Sequence, residues 1–222
     1  MKRLYILCEG YTEEDFANKI LGPYLQSFGV DYVEPFVCET KRTHKKKFKG
    51  GASTYGKIKK ELLNICGQHP NEMVTTMFDL YGLPRDTPGL GNSPIDVYEK
   101  ASYIEKAISD DINNRFGNLI FNLILHEYEG LLFSDVSAFE SLATTETIVV
   151  LRNIRSEFLT PEHINDSPET APSKRIKKAF PEYEKTSDAV EIAEQIGIDK
   201  ISGECRHFAK WITKLTDWAK DV

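Results

Sequence analysis

Three apolar runs in this chain each end directly in acidic residues, and this repeated pattern constrains the fold more than any other feature. The runs cover residues 4–8, 73–78 and 119–125, and the acids at or just beyond their ends are Glu9, Asp79, Glu127 and Glu129. Each run has the length and composition of a buried strand. Parallel strands deliver their carboxyl ends to one edge of a sheet, where ligands bind. The sequence therefore predicts that acids distant along the chain meet at this edge.

Acids gathered at one edge call for a reason other than stability, because neighbouring carboxylates repel and raise one another's pKa. A bound divalent cation removes this repulsion. Oxygen ligands without histidine or cysteine suit Mg²⁺ or Mn²⁺. The sequence thus predicts a metal centre whose candidate ligands are Glu9, Glu13, Asp79, Glu127 and Glu129.

Simpler roles remain open for several of these acids. Glu13 stands where a first-turn acid would favour the helix dipole, and Glu129 would do the same if a helix begins there. Asp79 is of the type that caps a turn. Glu9 is less easily explained in this way, because it follows a buried strand directly and precedes Gly10, which allows close approach of a ligand.

Strand and helix patterns alternate along the first two thirds of the chain. They predict an α/β fold with a mostly parallel sheet of about four strands flanked by helices. Thr12, with Asp15, is predicted to cap the first helix, Pro23 to kink it, and Ser93 to cap a later helix. Pro35 favours an edge position for the second strand, at residues 32–38. Residues 1–150 form the predicted α/β domain, and residues 151–222 a helical C-terminal extension packed on it.

A turn-rich stretch, residues 82–94, follows Asp79 and contains six glycines and prolines. It leaves the sheet at the edge where the acids are expected. We therefore predict a lid or substrate-positioning loop here.

Composition narrows the classes of protein to consider. With 41% hydrophobic residues the chain can bury a core, yet no apolar stretch approaches the roughly 20 residues that span a membrane. The first apolar run is too short for a signal peptide. The four cysteines are scattered, which indicates reduced thiols and a cytoplasmic protein.

Basic charge is concentrated in one segment of an otherwise acidic chain. The net charge is -6, but residues 41–60 hold nine Lys or Arg and no acid. Such a concentration predicts a phosphate-binding surface for a nucleic-acid backbone. A solvated loop followed by an exposed helix face is the alternative. The proposed nucleic-acid-binding residues are Lys41, Arg42, Lys45, Lys46, Lys47 and Lys49.

The absence of their motifs argues against a P-loop ATPase, a zinc enzyme and a serine hydrolase of the nucleophile-elbow type. The sequence has no glycine-rich ATPase loop, no histidine spacing typical of zinc sites and no nucleophile-elbow serine.

Residues 8–13, Cys-Glu-Gly-Tyr-Thr-Glu, resemble the Glu-Gly-x-Ser/Thr-Glu opening of the overcoming-lysogenization-defect nuclease branch of the Toprim superfamily. Residues 78–81 take the place of the superfamily's Asp-x-Asp motif, with Tyr81 instead of the second aspartate. Residues 128–132 resemble its third acidic motif. Residues 172–175 and 205–208 are similar to segments of small stand-alone Toprim-like proteins whose genes often neighbour an ABC/AAA-type ATPase.

This resemblance implies a Mg²⁺- or Mn²⁺-dependent nuclease acting on DNA or RNA, including tRNA. It further implies the effector role in an anti-phage defence system with a separate ATPase partner. Glu9 and Asp79 would be catalytic metal ligands, and Lys174 would stabilise the leaving oxygen. The oligomeric state is left open, a homodimer included.

Tyr81 keeps two alternatives open. It puts a two-metal site in question, with Glu13, Glu127 or Asp135 as substitutes for the missing ligand. It also favours a non-catalytic, degenerate Toprim subunit that binds or assembles with an ATPase. Another Mg²⁺ enzyme, such as a phosphatase, ranks last.

Overall fold

A parallel sheet carries the candidate acids in this computed structural model, which describes residues 1–38, 54–113, 115–164, 167 and 169–221. Its strands are β1 (Arg3–Cys8), β2 (Tyr32–Val37), β3 (Met73–Asp79), β4 (Leu119–Ile120) and β5 (Leu123–Ile124). The order is β2-β1-β3-β4, and β5 also pairs with β3. All of these pairings are parallel. The predicted α/β class is confirmed, and β2 lies at the edge as Pro35 indicated.

Helices cover the sheet and make up the C-terminal region. The first group is α1 (Tyr11–Phe16), α2 (Gly22–Gln26), α3 (Tyr55–Gln68) and α4 (Val97–Asn113). The second group is α5 (Thr145–Ser156), α6 (Pro172–Ala179), α7 (Asp188–Ile196), α8 (Ile198–Glu204) and α9 (Arg206–Lys220). Short 3₁₀ turns lie between them, at Leu80–Gly82, Leu90–Asn92, Tyr128–Ser134, Val136–Ser141 and Pro161–His163.

Pro23 disturbs the first helix as the sequence predicted, although the helix continues through it. A π-helical stretch, Ala17–Leu21, joins α1 to α2 and ends two residues before the proline. Proline has no N–H to give to the preceding turn, so the regular hydrogen-bond pattern of the helix cannot continue unchanged through this position.

Two predicted helix starts are wrong. Gly10, not Thr12, precedes α1, and Thr12 is buried inside the helix. Asp15 pairs with Lys19 instead of closing a capping box. The helix predicted to begin at Ser93 begins at Val97, because the Asp96 carboxylate accepts the N–H groups of the first turn.

The third apolar run does not form one strand. At residues 121–122 the ladder is interrupted, because the Asn122 N–H donates to Thr76 Oγ1 at 2.8 Å and that hydroxyl donates back to the Asn122 carbonyl. The Leu123 N–H donates to the Glu105 carboxylate at 2.8 Å. Side chains thus take over hydrogen bonds that strand partners would have made, and β4 and β5 result.

The two faces of the sheet are buried by different helices. Tyr5 and Leu7 of β1 face α3 and α4, whereas Leu4 and Ile6 face α1, α2 and the C-terminal helices. Trp211 of α9 is buried against this second face. The predicted domain boundary at 150/151 falls within α5, and one apolar cluster extends from β1 to α9.

Trp211 also holds α9 to the sheet through a hydrogen bond from its Nε1–H to Thr75 Oγ1, at 2.8 Å. Among the described residues, no helix has both the length and the apolar character that crossing a bilayer requires.

Candidate metal centre

Two neighbouring strands place the first two acids side by side. Glu9 follows β1 and Asp79 ends β3, and the register of these strands pairs Cys8 with Met77. The Glu9 N–H donates to the Met77 carbonyl, which continues the ladder by one bond. The Glu9 side chain turns towards β3, where its Oε2 accepts the Asp79 N–H at 2.9 Å. The two acids, 70 residues apart in sequence, are therefore joined directly.

Asp79 in turn binds the segment that follows β5. Its Oδ1 accepts the Tyr128 N–H at 2.9 Å, at the start of a 3₁₀ turn. The next residue, Glu129, is fully buried, and Glu13 from α1 is 4% exposed. Three sequence-distant regions thus converge on one edge of the sheet. We call Glu9, Glu13, Asp79 and Glu129 the carboxylate cluster.

A glycine permits the observed position of Glu9. Gly82 lies against the Glu9 carboxylate, and a Cβ on this residue would stand 2.6 Å from the Glu9 carboxyl carbon. Gly91, in the next 3₁₀ turn, has open space around it. Position 82 therefore requires glycine because the Glu9 carboxylate lies against it, and not because 3₁₀ turns in general require glycine.

We expect Gly82→Ala to displace the Glu9 carboxylate, because the side chain can rotate more easily than the backbone can move. The hydrogen bond to the Asp79 N–H would be lost, at a cost of about 1 kcal/mol in the free energy of unfolding. Urea denaturation should report this loss, and Gly91→Ala is the matched control. Equal destabilisation by both substitutions would contradict the close packing at Gly82.

A lysine stands among the acids. Lys185, in the turn before α7, donates to Glu129 Oε2 at 3.0 Å, and its side chain is 44% exposed. The other oxygen, Glu129 Oε1, is buried without a hydrogen-bond partner among the described residues. Buried carboxylate oxygens are normally satisfied, so this atom indicates a position suited to a missing partner.

Electrostatics links the members of the cluster. Burial raises the pKa of Asp79 well above its usual value, and the charges of Glu9 and Glu13 raise it further. Burial also raises the pKa of Glu13 and of Glu129, although Lys185 opposes both shifts. Burial alone would lower the pKa of Lys185, but the carboxylates outweigh it and raise that pKa. The carboxylates at this edge therefore resist ionisation, and Lys185 offsets only part of the cost of burying them together.

The donor set fits a hard divalent cation by its chemistry, since it consists of carboxylate oxygens. Within the described ranges, no three histidine, cysteine, aspartate or glutamate side chains already stand close enough to hold an ion. Glu9, Asp79 and Glu129 each have at least one oxygen engaged in a hydrogen bond. Coordination here would require side-chain rotation to bring the carboxylates closer together, and Glu129 could offer the oxygen, Oε1, that does not bind Lys185.

Other predicted residues have different surroundings. Glu127 Oε2 accepts the Ser173 N–H at the start of α6, at 3.0 Å. Asp135 accepts the Ser137 N–H and caps a 3₁₀ turn. Lys174 is exposed in the first turn of α6, and in the described part of the chain no hydrogen bond or ion pair joins its side chain to the carboxylate cluster.

Most of the basic segment cannot be placed. Lys41, Arg42, Lys45, Lys46, Lys47 and Lys49 lie outside the described residues. Lys59, at the described end of this segment, forms an ion pair with Asp111 at 2.7 Å. The phosphate-binding role of residues 41–49 therefore stays a prediction.

Strain marks the end of β5. His126 has a φ of 60°, in the left-handed region that non-glycine residues rarely adopt. Its carbonyl accepts the Tyr81 N–H at 3.3 Å, and the two rings lie 5.5 Å apart. Tyr81, in the position of the second motif aspartate, is 42% exposed. Strain of this kind is often kept at functional sites.

Sequence reasoning missed Lys185 and Gly82. Lys185 lies in a polar stretch with no motif around it, and only the fold brings it to Glu129. Gly82 was visible as one turn former among six in residues 82–94, without a signal that separated it from the others.

One family model matches residues 8–216, and it is described as a domain of unknown function, DUF4276. No curated protein and no solved structure matches the chain. The match begins just before Glu9 and so includes every member of the carboxylate cluster.

Proposed function

The chain belongs to the DUF4276 family, a domain of unknown function, and from this premise we propose that it is a Mg²⁺- or Mn²⁺-dependent nuclease that hydrolyses phosphodiester bonds of DNA or RNA. The carrying observation is the carboxylate cluster: four acids from three regions of the chain, at most 8% exposed, at the ligand-binding edge of a parallel sheet. Repulsion between four buried carboxylates does not help the fold to be stable. A reaction that needs a divalent cation at a phosphate would explain why these acids lie together.

In this proposal Glu9, Asp79 and Glu129 hold the metal, and Glu13 adds negative charge to the same space. A bound Mg²⁺ or Mn²⁺ would supply neutralisation of the phosphate and activation of water. Hydrogen bonds from the Asp79 and Tyr128 N–H groups orient the Glu9 and Asp79 carboxylates. Such preorganisation is the usual contribution of the protein to metal catalysis.

Lys185 gives the edge a fixed positive charge. The carboxylates raise its pKa, so the ammonium group stays protonated at neutral pH. Once Glu129 turns to another partner, this ammonium can donate to a phosphate oxygen on which charge develops. Lys174 remains the second candidate for this task, as the sequence resemblance implies.

The wider setting is also a proposal. We infer a cytoplasmic effector of an anti-phage defence system, controlled by a separate ATPase. This inference is supported by the similarity of residues 8–13 and 128–132 to Toprim motifs. The nucleic acid, which includes tRNA among the candidates, would be held by residues 41–49.

A cleavage assay tests the proposal. Purified protein is incubated with labelled DNA and RNA in Mg²⁺, in Mn²⁺ and in EDTA. We expect cleavage only with metal, and a decrease of about a hundred- to a thousandfold in Glu9→Gln, which loses the charge of a proposed metal ligand but can still accept the Asp79 N–H. Glu140→Gln is the matched control, because this exposed glutamate pairs with Arg152 on the surface.

Two results would remove the nuclease proposal. One is equal cleavage by the wild type and Glu9→Gln, which would point to a contaminating enzyme. The other is no cleavage of any substrate, with and without the ATPase partner.

The second candidate function is a non-catalytic subunit that assembles with an ATPase. Tyr81 in place of an aspartate favours it, and so does the ion pair that already occupies Glu129. Here Glu9→Gln would leave phage resistance intact in cells. Under the nuclease proposal the same variant loses resistance.

A further inference from the structure

A cleft of about 540 Å³ opens beside the carboxylate cluster. Its volume lies within the range of roughly 300–1,000 Å³ that is typical of small-molecule sites. The walls come from the 3₁₀ turn after β3, His126, the start of α4, Phe158 and the first turns of α6. None of the roles proposed above uses this space.

One short turn separates the cleft from the cluster. Gly82, at one end of the Leu80–Gly82 turn, lies against the Glu9 carboxylate. Leu80 and Tyr81, in the same turn, line the cleft. A molecule in the cleft would therefore contact the same short turn that packs against the Glu9 carboxylate.

The cleft offers a flat aromatic wall. Tyr81 is 42% exposed, and its ring lies 5.5 Å from the ring of His126. The backbone hydrogen bond from the Tyr81 N–H to the His126 carbonyl fixes the two residues relative to each other. An exposed aromatic ring on a rigid turn is a stacking platform of the kind on which nucleobases bind.

Two cations face the same space. The Arg175 guanidinium lies 4.9 Å from the centre of the Phe158 ring, and its Nε–H donates to the Thr170 carbonyl at 2.7 Å. Lys100 enters from α4. In the part of the chain that the structure describes, neither cation forms an ion pair with a carboxylate. Arg175 is thus oriented in advance, with donors left for an anion.

The one acid that lines the cleft, Asp96, is outnumbered by these two cations, and its Oδ1 is engaged by the backbone. Asp96 Oδ1 accepts the N–H groups of Tyr98 and Glu99, both at 3.0 Å, at the start of α4. Two cations and one acid leave an excess of positive charge in the lining, which an apolar ligand would not use. An aromatic ligand that carries a phosphate would use both the platform and the cations.

We propose that this cleft is a nucleotide-binding site in which the base stacks on Tyr81 and a phosphate binds Arg175 and Lys100. Its role as the subsite for the nucleotide next to the scissile phosphate rests on the proposed nuclease function. The binding of a nucleotide in the cleft does not depend on cleavage.

The test measures binding of adenosine 5′-monophosphate in EDTA by saturation-transfer NMR. We expect saturation of the base protons, and a dissociation constant raised about five- to one-hundredfold in Tyr81→Ala. Tyr81→Phe should retain the wild-type value, and Arg175→Gln should weaken binding. Tyr32→Ala and Arg152→Gln are matched controls, because both residues are exposed and neither lines the cleft.

The outcomes separate the two proposals. Binding that depends on Tyr81 and Arg175, without any cleavage by the wild type with and without the ATPase partner, would support the nucleotide site and remove the nuclease function. Cleavage without saturable binding of the nucleotide would overturn the site and leave the nuclease standing. Equal affinity of the wild type and Tyr81→Ala would also overturn it.

Discussion

Asp79→Asn is expected to reduce the proposed metal-dependent cleavage strongly while it stabilises the metal-free protein. Asp79 is the acid whose pKa is raised by burial and by three other carboxylates together, so its charge is the most costly in the cluster. Asparagine has nearly the same shape, and its carbonyl oxygen can still accept the Tyr128 N–H. The substitution therefore removes the charge and keeps the structure.

We expect a loss of activity of about a hundred- to a thousandfold, the usual size for a group that stabilises charge in a reaction. The free energy of unfolding at neutral pH should rise by about 1 kcal/mol, because the repulsion is relieved. The assays are cleavage of labelled nucleic acid and urea denaturation in EDTA. Asp110→Asn is the control, because its carboxylate is exposed and pairs only with Lys106 among the described residues.

The combined result is more diagnostic than either measurement alone. A purely structural aspartate would lose stability on substitution and would affect activity only through unfolding. If Asp79→Asn destabilised the protein in EDTA, the carboxylates of the cluster would not be repelling one another in the absence of a metal, and this proposal would be contradicted.

The stability of the metal-free protein is expected to fall as the pH rises above about 4, the ordinary pKa of a carboxyl group. The pKa values of Asp79, Glu13 and Glu129 are raised in the folded state. At pH values between the ordinary pKa and the raised pKa, the folded protein thus binds more protons than the unfolded chain. Linkage then requires that stability is complete below the ordinary pKa and is lost as the pH rises through the raised one. Lys185 has a raised pKa as well, but its effect would appear only near the ordinary lysine value, about 10.

Mn²⁺ should restore the stability lost at neutral pH. A cation at one hundred times its dissociation constant stabilises the folded state by about 2.7 kcal/mol. Thermal denaturation from pH 4 to pH 8, with Mn²⁺ and with EDTA, measures both effects. The increase in melting temperature with Mn²⁺ should grow with pH, and it should be absent in Asp79→Asn.

Two observations would contradict this scheme. If the metal-free protein became more stable between pH 4 and pH 7, the carboxylates would be compensated by contacts other than a metal. If Ca²⁺, Mg²⁺ and Mn²⁺ all left the melting temperature unchanged at pH 8, the cluster would not be a cation site.

The sequence allowed the sheet and the meeting of Glu9 with Asp79 to be predicted, because both depend on local signals. Apolar runs of strand length identify β1 and β3, and parallel pairing alone brings their ends together. The same reasoning placed β2 at the edge through Pro35. The wider resemblance to Toprim proteins stays a prediction, since the family match carries no function.

What could not be predicted depends on contacts between distant side chains. The break between β4 and β5 arises from Thr76 and Glu105, which take the hydrogen bonds of residues 122 and 123. Lys185 reaches Glu129 only after the C-terminal helices have packed. The local sequence around these residues contains no pattern that predicts the pairings. The cap at Asp96 was missed for a simpler reason, because Ser93 and Pro94 gave a competing local signal for the same helix.

The apolar cluster that joins β1 to α9 also bears on synthesis in the cell. When only the strands of a nascent chain have left the ribosome, Trp211 and the rest of α9 do not yet cover their face of the sheet. Such an intermediate leaves apolar surface open to aggregation until α9 emerges from the ribosome. We therefore expect ribosome-associated chaperones to hold this chain longer than one whose N-terminal half folds by itself.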